Sequence, residues 1–242
     1  MEDRSPVTPT SPIPFVEQIG QVYVVREDLI PGGSKRRFID RLLQSPHNEY
    51  VYAATAYGGA QIALALAAKQ MNKRVTLFVA KRKILHPRTQ AAQDAGAQII
   101  GVPMGFLSVV YARARAYCQT TGACLLPLGF DSEEALEAIA STAALVRKQY
   151  GQFDEVWAAV GTGTLLRGLQ RADLGKSYFG VAVGRNANKC IGAAKLIQHP
   201  QPFAADALIT PPFPSCSNYD AKVWEYVSKR PNKRVLFWNV MG

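Results

Sequence analysis

The sequence predicts an α/β protein in which parallel strands are covered by helices on both faces. Strand-like and helix-like patterns alternate along most of the 242 residues, as expected for parallel strands joined by crossover helices. Glycine-rich turns at 57–59 and 161–163 stand where a strand pattern passes into a helix pattern. With 48% apolar residues, a chain of this length can bury one large core or two smaller ones.

Each element rests on a local pattern. The proline-rich residues 1–14 are predicted to form an extended arm. Runs rich in β-branched and aromatic residues predict strands at 21–26, 50–55, 74–80, 97–102, 155–160, 178–183 and 234–238. Helix-period apolar positions predict helices from 34 onward and at 61–70, 87–95, 107–118, 132–150, 189–198 and 219–228. Ser34 and Ser132 are the predicted N-caps of two of these helices.

Lys35 stands out because its helix position is apolar. It shares one helix face with Phe38, Ile39 and Leu42. The other cations of this segment are predicted to point outward: Arg36, Arg37 and Arg41. Loss of water lowers the pKa of a lysine and makes its amine a nucleophile able to form a Schiff base with a carbonyl. The alternative is a lysine that extends its ammonium to solvent and has no chemical role.

The segments 25–29 and 32–37 resemble the region of the cofactor lysine in pyridoxal-phosphate enzymes of the tryptophan-synthase-β fold type, fold type II. They look most like the branch of aminocyclopropane-carboxylate deaminases and D-cysteine desulfhydrases, and the likeness continues over most of 20–240. The resemblance implies that Lys35 binds pyridoxal 5'-phosphate as a Schiff base and moves a proton at the substrate α-carbon.

The same resemblance implies two open parallel-sheet domains, with helices on both faces and the cofactor in the cleft between them. Residues 15–47 plus 131–242 would form the larger, cofactor-binding domain, and residues 48–130 the smaller one. Because dimers are usual in such families, a homodimer is expected.

A glycine-rich loop follows the strand predicted at 155–160 and opens a helix. Backbone N–H groups at such a helix start can hold a phosphate, although many similar turns bind nothing. By resemblance to the family's phosphate loop, the expected cofactor contacts are Gly161, Thr162, Gly163 and Thr164.

The turn at 55–61 resembles the family's substrate-carboxylate loop, so substrate contacts are expected from Thr55, Tyr57, Gly58 and Gln61. Gly59 stands where the family commonly has an asparagine beside the phenolic oxygen of the cofactor, and Tyr57 or Gln61 are candidates to replace that contact.

The run 235–242 resembles the family's closing strand. Val240 stands where a serine or threonine usually faces the pyridine nitrogen, which leaves Asn239 as the candidate for that contact. In the segment 219–222, which resembles one that approaches the substrate, Tyr219 is the expected contact. An altered ring contact changes how strongly the ring accepts electrons, so elimination, deamination and decarboxylation all stay open.

The formal net charge of +10 invites a polyanionic partner, although scattered positive surfaces are the commoner explanation. The first hypothesis is a pyridoxal-phosphate lyase acting on an amino acid or amino-acid-like group. A second is a decarboxylase of an amino-acid-modified base in DNA, as in phage thymine hypermodification. A third is a non-catalytic member that binds cofactor or nucleic acid. A Rossmann-type enzyme is weaker, since 161–168 lacks the GxGxxG spacing.

No segment has the length of a transmembrane helix, and the N-terminus has no apolar signal region. The cysteines form no CxxC pair and no metal-type spacing with the histidines, so they predict thiols in a reducing compartment and no metal: Cys118, Cys124, Cys190 and Cys216. A cytoplasmic protein is expected, in the host cytoplasm if the gene is carried by a phage. His47, His86 and His199 are expected at the surface.

Overall fold

A computed structural model describes residues 13–103, 105–183, 190–230 and 232–242. The arm predicted at 1–14 lies outside the described residues except for its last two positions. In the described part, no helix is both long enough and apolar enough to cross a bilayer.

The strands form two sheets that are parallel except at one edge. They are β1 (Val16–Ile19), β2 (Val22–Arg26), β3 (Glu49–Ala54), β4 (Arg74–Ala80), β5 (Gln98–Val102), β6 (Cys124–Leu125), β7 (Phe153–Val160), β8 (Gly175–Ala182), β9 (Lys195–Gln198) and β10 (Val235–Asn239). The larger sheet has the order β1-β2-β10-β7-β8-β9 and the smaller one the order β5-β4-β3-β6. Only the β1–β2 pair is antiparallel among the described pairings.

The helices cover both faces of each sheet, which confirms the predicted fold class. They are α1 (Ile39–Leu42), α2 (Ala60–Gln70), α3 (Pro87–Asp94), α4 (Leu107–Thr121), α5 (Glu133–Tyr150), α6 (Thr164–Arg171) and α7 (Ala221–Val227). On the smaller sheet, α4 packs on one face, and α2 and α3 on the other. On the larger sheet, α7 covers one face, and α5 and α6 cover the other. The core under α5 and α6 also includes residues of the smaller sheet.

The alternation of side chains along β10 shows how the larger sheet is buried on both sides. Leu236 and Trp238 point into the core shared with α5 and α6, whereas Val235 and Phe237 point into the core under α7. The first of these cores also includes apolar residues of the smaller sheet and of α2. The boundaries 15–47 plus 131–242 and 48–130 remain our proposal for how the domains divide.

Two sequence predictions about local structure are wrong. In the described part of the helix predicted at 189–198, a turn leads into strand β9, because residues 195–198 pair with β8 in parallel register. The lysine helix is a 3-10 turn at Ser34–Arg37 followed by the single-turn helix α1. Ser34 makes no side-chain cap, and its N–H donates instead to the Val240 carbonyl oxygen at 2.9 Å. Ser132, by contrast, caps α5 through the Ala135 N–H as predicted.

The outward orientation predicted for the arginines after Lys35 is also wrong for two of them. Arg36 is buried and pairs with Asp40 at 2.8 Å. Arg37 pairs at 2.7 Å with Glu27, a fully buried carboxylate. The 3-10 turn brings both guanidinium groups inward because its residues do not follow the 3.6-residue period of an α-helix.

Candidate active site

The position of Lys35 is set by the two glycines before it. Gly32 and Gly33 have φ of +88° and +73°, a backbone region that favours glycine. A Cβ on Gly33 would collide with the Val240 carbonyl oxygen, the same atom that accepts the Ser34 N–H. The turn carrying Lys35 is therefore held against the end of β10.

The Lys35 side chain opens onto a cavity. The residue is partly exposed, yet its amine has little access to water, and this desolvation lowers its pKa while the nearby Asp220 opposes the shift. The lowered pKa agrees with the hypothesis of a desolvated lysine, and the role of Lys35 as cofactor ligand stays a prediction. A larger fraction of neutral amine at a given pH makes Lys35 a better nucleophile than an exposed lysine.

The glycine-rich loop runs from the end of β7 into α6. Gly163 takes φ of +85° at the N-cap, and a Cβ there would collide with the Cys190 carbonyl oxygen. Thr162 and Thr164 hydroxyls lie 3.0 Å apart. Because the first N–H groups of a helix have no partner within the helix, this loop can hold an anion such as a phosphate.

Lys35 and the loop face one cleft, which is partly open to solvent. Six of the residues expected at the site line it: Lys35, Gly161, Thr162, Gly163, Thr164 and Tyr219. Gly129, which precedes α5, also lines the cleft with φ of +68°, and a Cβ there would collide with Thr162. The amine and the anion-binding loop thus share one space.

Tyr219 lines the cleft, and Asp220, the next residue, lies close enough to Lys35 for their charges to interact. The Tyr219 hydroxyl is hydrogen-bonded to the Gly161 backbone, and burial raises its pKa. Asp220 is 0% exposed, and no hydrogen bond of normal length and angle reaches either carboxylate oxygen in the described structure. Its burial raises its pKa to about 8, and the shift is partly offset by the Val240 and Met241 amides, which lie near the carboxylate without such geometry, and by the Lys35 charge. A buried carboxyl group without partners is costly unless a ligand completes it.

The predicted substrate loop lies next to the cleft and contributes none of the residues that line it. The Gln61 amide nitrogen is directed back at the loop and donates to the carbonyl oxygens of Thr55, at 2.8 Å, and Ala56, at 3.2 Å. Gln61 therefore shapes this loop. Its Oε1 is buried without a partner in the described structure, which leaves one acceptor for a ligand.

Gly59 allows a close approach of Met241. A Cβ on Gly59 would collide with the Met241 sulfur, so the methionine takes space that a side chain at position 59 would need. This contact joins the loop to the segment after β10. It explains how a glycine is accommodated here, while contacts from Thr55, Tyr57, Gly58 and Gly59 to a ligand remain predictions.

Asn239 does not serve the cleft in the way expected. Its amide nitrogen donates to Asp28 at 2.7 Å and to the Pro214 carbonyl at 2.9 Å, and its oxygen accepts from Ser215 at 2.7 Å. The side chain is fully buried in this network, which ties β10 to the segments around it. Asp220, which the sequence did not single out, is an unpaired acid near Lys35, and the Trp238 indole nitrogen in the cleft lining is also without a partner in the described structure. The signal available in the sequence for Asp220 was an acidic residue at the start of α7, a helix that is otherwise mostly buried.

His199 is buried, contrary to the surface position expected for it, because its ring accepts the Gln201 N–H and faces Glu225 at 3.4 Å. Cys118, Cys124 and Cys216 are not in disulfides. The described residues contain no group of histidine, cysteine and acidic side chains placed to hold a metal ion.

Residues 3–220 match the family of pyridoxal-phosphate dependent enzymes. This match covers most of the chain, so the protein belongs to that family, and the cofactor of the family is pyridoxal phosphate. Comparison with curated proteins by sequence finds no significant match.

Several solved structures share the fold. An ACC deaminase homologue superposes with a TM-score of 0.75 at 15% identity, over 91% of this chain and 84% of the other. O-ureido-L-serine synthase gives 0.71 at 15% identity, over 91% and 83%. Diaminopropionate ammonia lyase from Escherichia coli gives 0.65 at 15% identity, over 91% and 77%. At such identities the likeness shows the fold, which is that of fold type II.

The cleft fits the cofactor of the family in three respects. Lys35 offers an amine of lowered pKa, the loop at 161–164 offers a cradle that glycine geometry requires, and Asp220 offers an unpaired buried carboxyl group. These match, in kind, an aldehyde, a phosphate and a protonated ring nitrogen.

Replacing Gly163 by alanine is expected to weaken cofactor binding at least about tenfold and to destabilise the protein by about 1–3 kcal/mol. The reason is the combination of positive φ with the collision at Cys190. Absorbance titration with pyridoxal phosphate and denaturant unfolding measure the two effects. Gly122→Ala is the control, since Gly122 has φ of +71° and nothing within 4 Å of an added Cβ. Wild-type cofactor affinity in Gly163→Ala would contradict the cradle.

Proposed function

We propose that the protein is a pyridoxal-phosphate lyase acting at the α-carbon of an amino acid or amino-acid-like group. The observation that carries this proposal is the lysine amine of lowered pKa that shares one cleft with the glycine loop. When bound, the cofactor supplies an electron-withdrawing ring that stabilises negative charge at the α-carbon. Family membership supports the cofactor, and the bond that breaks is part of the proposal.

The chain's own residues have distinct roles in this proposal. Lys35 would hold the cofactor through its Nζ and would carry a proton to or from the α-carbon. Gly161, Thr162, Gly163 and Thr164 would bind the phosphate. Asp220 would hold a proton for the ring nitrogen, the contact for which the sequence offered Asn239. Gly59 would border the cofactor, and the substrate would be bordered by Thr55, Tyr57, Gly58, Gln61 and Tyr219.

A panel of amino acids tests the reaction. Each L- and D-amino acid, including β-substituted ones, is incubated with the cofactor-loaded protein. Ammonia and 2-oxo acid report elimination or deamination, and carbon dioxide with an amine reports decarboxylation. We expect one product class, absent in Lys35→Ala. A protein that binds the cofactor without turnover would show a shifted cofactor absorbance and no product with any substrate, including amino-acid-modified DNA.

A second candidate substrate is an amino-acid-modified base in DNA. It is favoured by a line of aromatic contacts leading out of the cleft. The ring centroids of Tyr219 and Phe203 lie 6.2 Å apart, and those of Phe203 and Tyr57 lie 5.7 Å apart. The central carbon of the Arg82 guanidinium lies 5.7 Å from the centroid of the Tyr57 ring. We call the exposed segment Lys81, Arg82, Lys83 and Ile84 the basic rim; its Ile84 is 85% exposed. Aromatic side chains beside cations suit a nucleobase and its phosphates.

Salt dependence tests this candidate. We expect carbon dioxide release from modified DNA to fall steeply between about 50 and 200 mM salt. The logarithm of the DNA binding constant should fall against the logarithm of the salt concentration with a slope of about −0.9 per phosphate contact, while turnover of free amino acids should show no such fall. Changing the three cations of the basic rim to glutamine should flatten the slope. The matched control changes Lys148, Lys229 and Lys233, exposed lysines near the starts of β7 and β10, at the opposite edge of the sheet from the cleft. Equal turnover of both substrate types at low salt would contradict the DNA candidate.

The family resemblance also supports a homodimer, which light scattering of the loaded protein checks. A cytoplasmic location stays part of the proposal, in keeping with Cys118, Cys124 and Cys216 outside disulfides.

A further inference from the structure

Arg88 is the cation that joins the predicted substrate loop to the segment between β9 and α7. It lies in the first turn of α3, and one guanidinium nitrogen, Nη1, donates to the Tyr57 carbonyl oxygen. The other, Nη2, lies 2.7 Å from the Cys216 sulfur. Cys216 in turn donates its backbone N–H to the Met241 carbonyl at 2.9 Å, and Met241 packs on Gly59. Arg88 therefore joins Tyr57 to Cys216, and its charge acts through space on Asp220, the neighbour of the cleft residue Tyr219.

The charge of Arg88 is not matched by an anion in the described part of the chain. Its hydrogen bonds there go to a carbonyl and a thiol, both neutral, since burial raises the pKa of Cys216. Four other buried or half-buried arginines have carboxylate partners: Arg26, Arg36, Arg37 and Arg167. Arg234 is half-buried and, like Arg88, bonds to carbonyl oxygens, but its guanidinium also lies over the rings of Tyr23 and Phe153. A guanidinium carries five donors in a planar fork, so two contacts leave donors for an anion.

Asp220 does not supply that anion. Arg88 influences it only through space, and Asp220 lies deeper, without a hydrogen-bond partner in the described structure. A carboxylate held at Arg88 would lie beside the loop at 55–61 and on the same side of the cleft as Tyr219. A planar guanidinium matches a carboxylate with two parallel hydrogen bonds.

We propose that Arg88 binds the carboxylate of the substrate's amino-acid group and so selects substrates that keep this carboxylate. The assignment rests on the proposed function and adds to it a residue outside the loop at 55–61. It applies equally to a free amino acid and to an amino acid attached to a larger molecule, because both present the same group.

The test uses the cofactor-loaded protein and pairs of ligands that differ only in the carboxylate: L-serine with ethanolamine, and L-phenylalanine with phenethylamine. The shift of the visible absorbance band gives a Kd for each. We expect Arg88→Met to weaken the acids about 10- to 100-fold and the amines less than twofold, as for loss of a bidentate charged contact. Arg88→Lys should fall between, because it keeps the charge and loses the fork.

Two matched variants separate binding from a structural role. Arg74→Met removes a 77% exposed arginine of the same domain and should change no Kd. Cys216→Ala removes the bond between Arg88 and Cys216 and keeps the guanidinium, so preference for acids should remain. Equal loss in Cys216→Ala and Arg88→Met would show a bridge between domains and overturn the proposal. So would a wild-type protein whose band no acid shifts more than its amine.

Failure of the proposed function looks different. If the wild-type protein shows no absorbance band of bound cofactor, both the lyase proposal and the assignment of Arg88 are wrong. If the band is normal and the Kd values of Arg88→Met are unchanged, only the assignment of Arg88 is wrong.

Discussion

Lys35→Ala is expected to lower the rate of product formation by at least about 10³-fold. The amine is the group of lowered pKa in the cleft and has no equivalent among the residues that line it. The fold should persist, since the change removes a desolvated cation and leaves the Gly32–Gly33 turn intact. Product assays and thermal unfolding measure the two effects side by side.

Lys222 provides the matched control. Unlike the partly exposed Lys35 it is fully buried, but its pKa is likewise lowered by desolvation, and its amine donates to the Pro202 carbonyl at 2.8 Å. Lys222→Ala should lower the free energy of unfolding by about 1 kcal/mol or more, because a hydrogen bond made by a fully buried side chain is lost. It should keep the cofactor band. A Lys35→Ala protein with more than a tenth of the wild-type rate would show that the chemistry lies elsewhere.

Asp220→Asn is expected to lower kcat about 10²- to 10³-fold, the usual loss when one preorganised charge is removed from an active site. An amide has the same shape and cannot hold the proton in the same way. Asp206→Asn is the control, because Asp206 is an exposed acid bonded to Ser217. Equal rates in wild type and Asp220→Asn would exclude Asp220 from the ring contact.

The same carboxyl group predicts a pH dependence of stability in the protein without cofactor. Its pKa of about 8 in the folded state lies above the ordinary value near 3.9, so the folded state holds more protons between these limits. The free energy of unfolding therefore falls as pH rises from about 4 to about 8. Asp220→Asn lacks this titrating carboxyl group. The difference in the free energy of unfolding between wild type and Asp220→Asn should therefore change by more than about 1.4 kcal/mol from about pH 4 to about pH 8, the equivalent of one pKa unit. Parallel curves would contradict the assignment.

Local sequence predicted the parts of the site that depend on neighbours along the chain. The glycines before Lys35 and those of the 161–163 loop have positive φ or close contacts, requirements that only glycine meets easily. The strands of the parallel sheets were predicted because buried strands are continuous apolar runs.

The predictions that were wrong or missing concern residues whose contacts are distant in sequence. Asn239 is held by Asp28, which lies 211 residues away, and β9 is a strand because it pairs with β8. Arg88 drew no attention, since its partner Cys216 lies 128 residues away. Asp220 was named only as part of a resembling segment, because nothing near it in sequence shows that its carboxyl group is left unpaired beside Lys35.

Borohydride reduction of the protein loaded with pyridoxal phosphate, followed by peptide mapping, tests the central claim most directly. We expect one stoichiometric adduct on the peptide that contains Lys35, and none on the peptide that contains Lys222. An adduct spread over surface lysines, or centred on Lys222, would contradict the placement of the cofactor in this cleft.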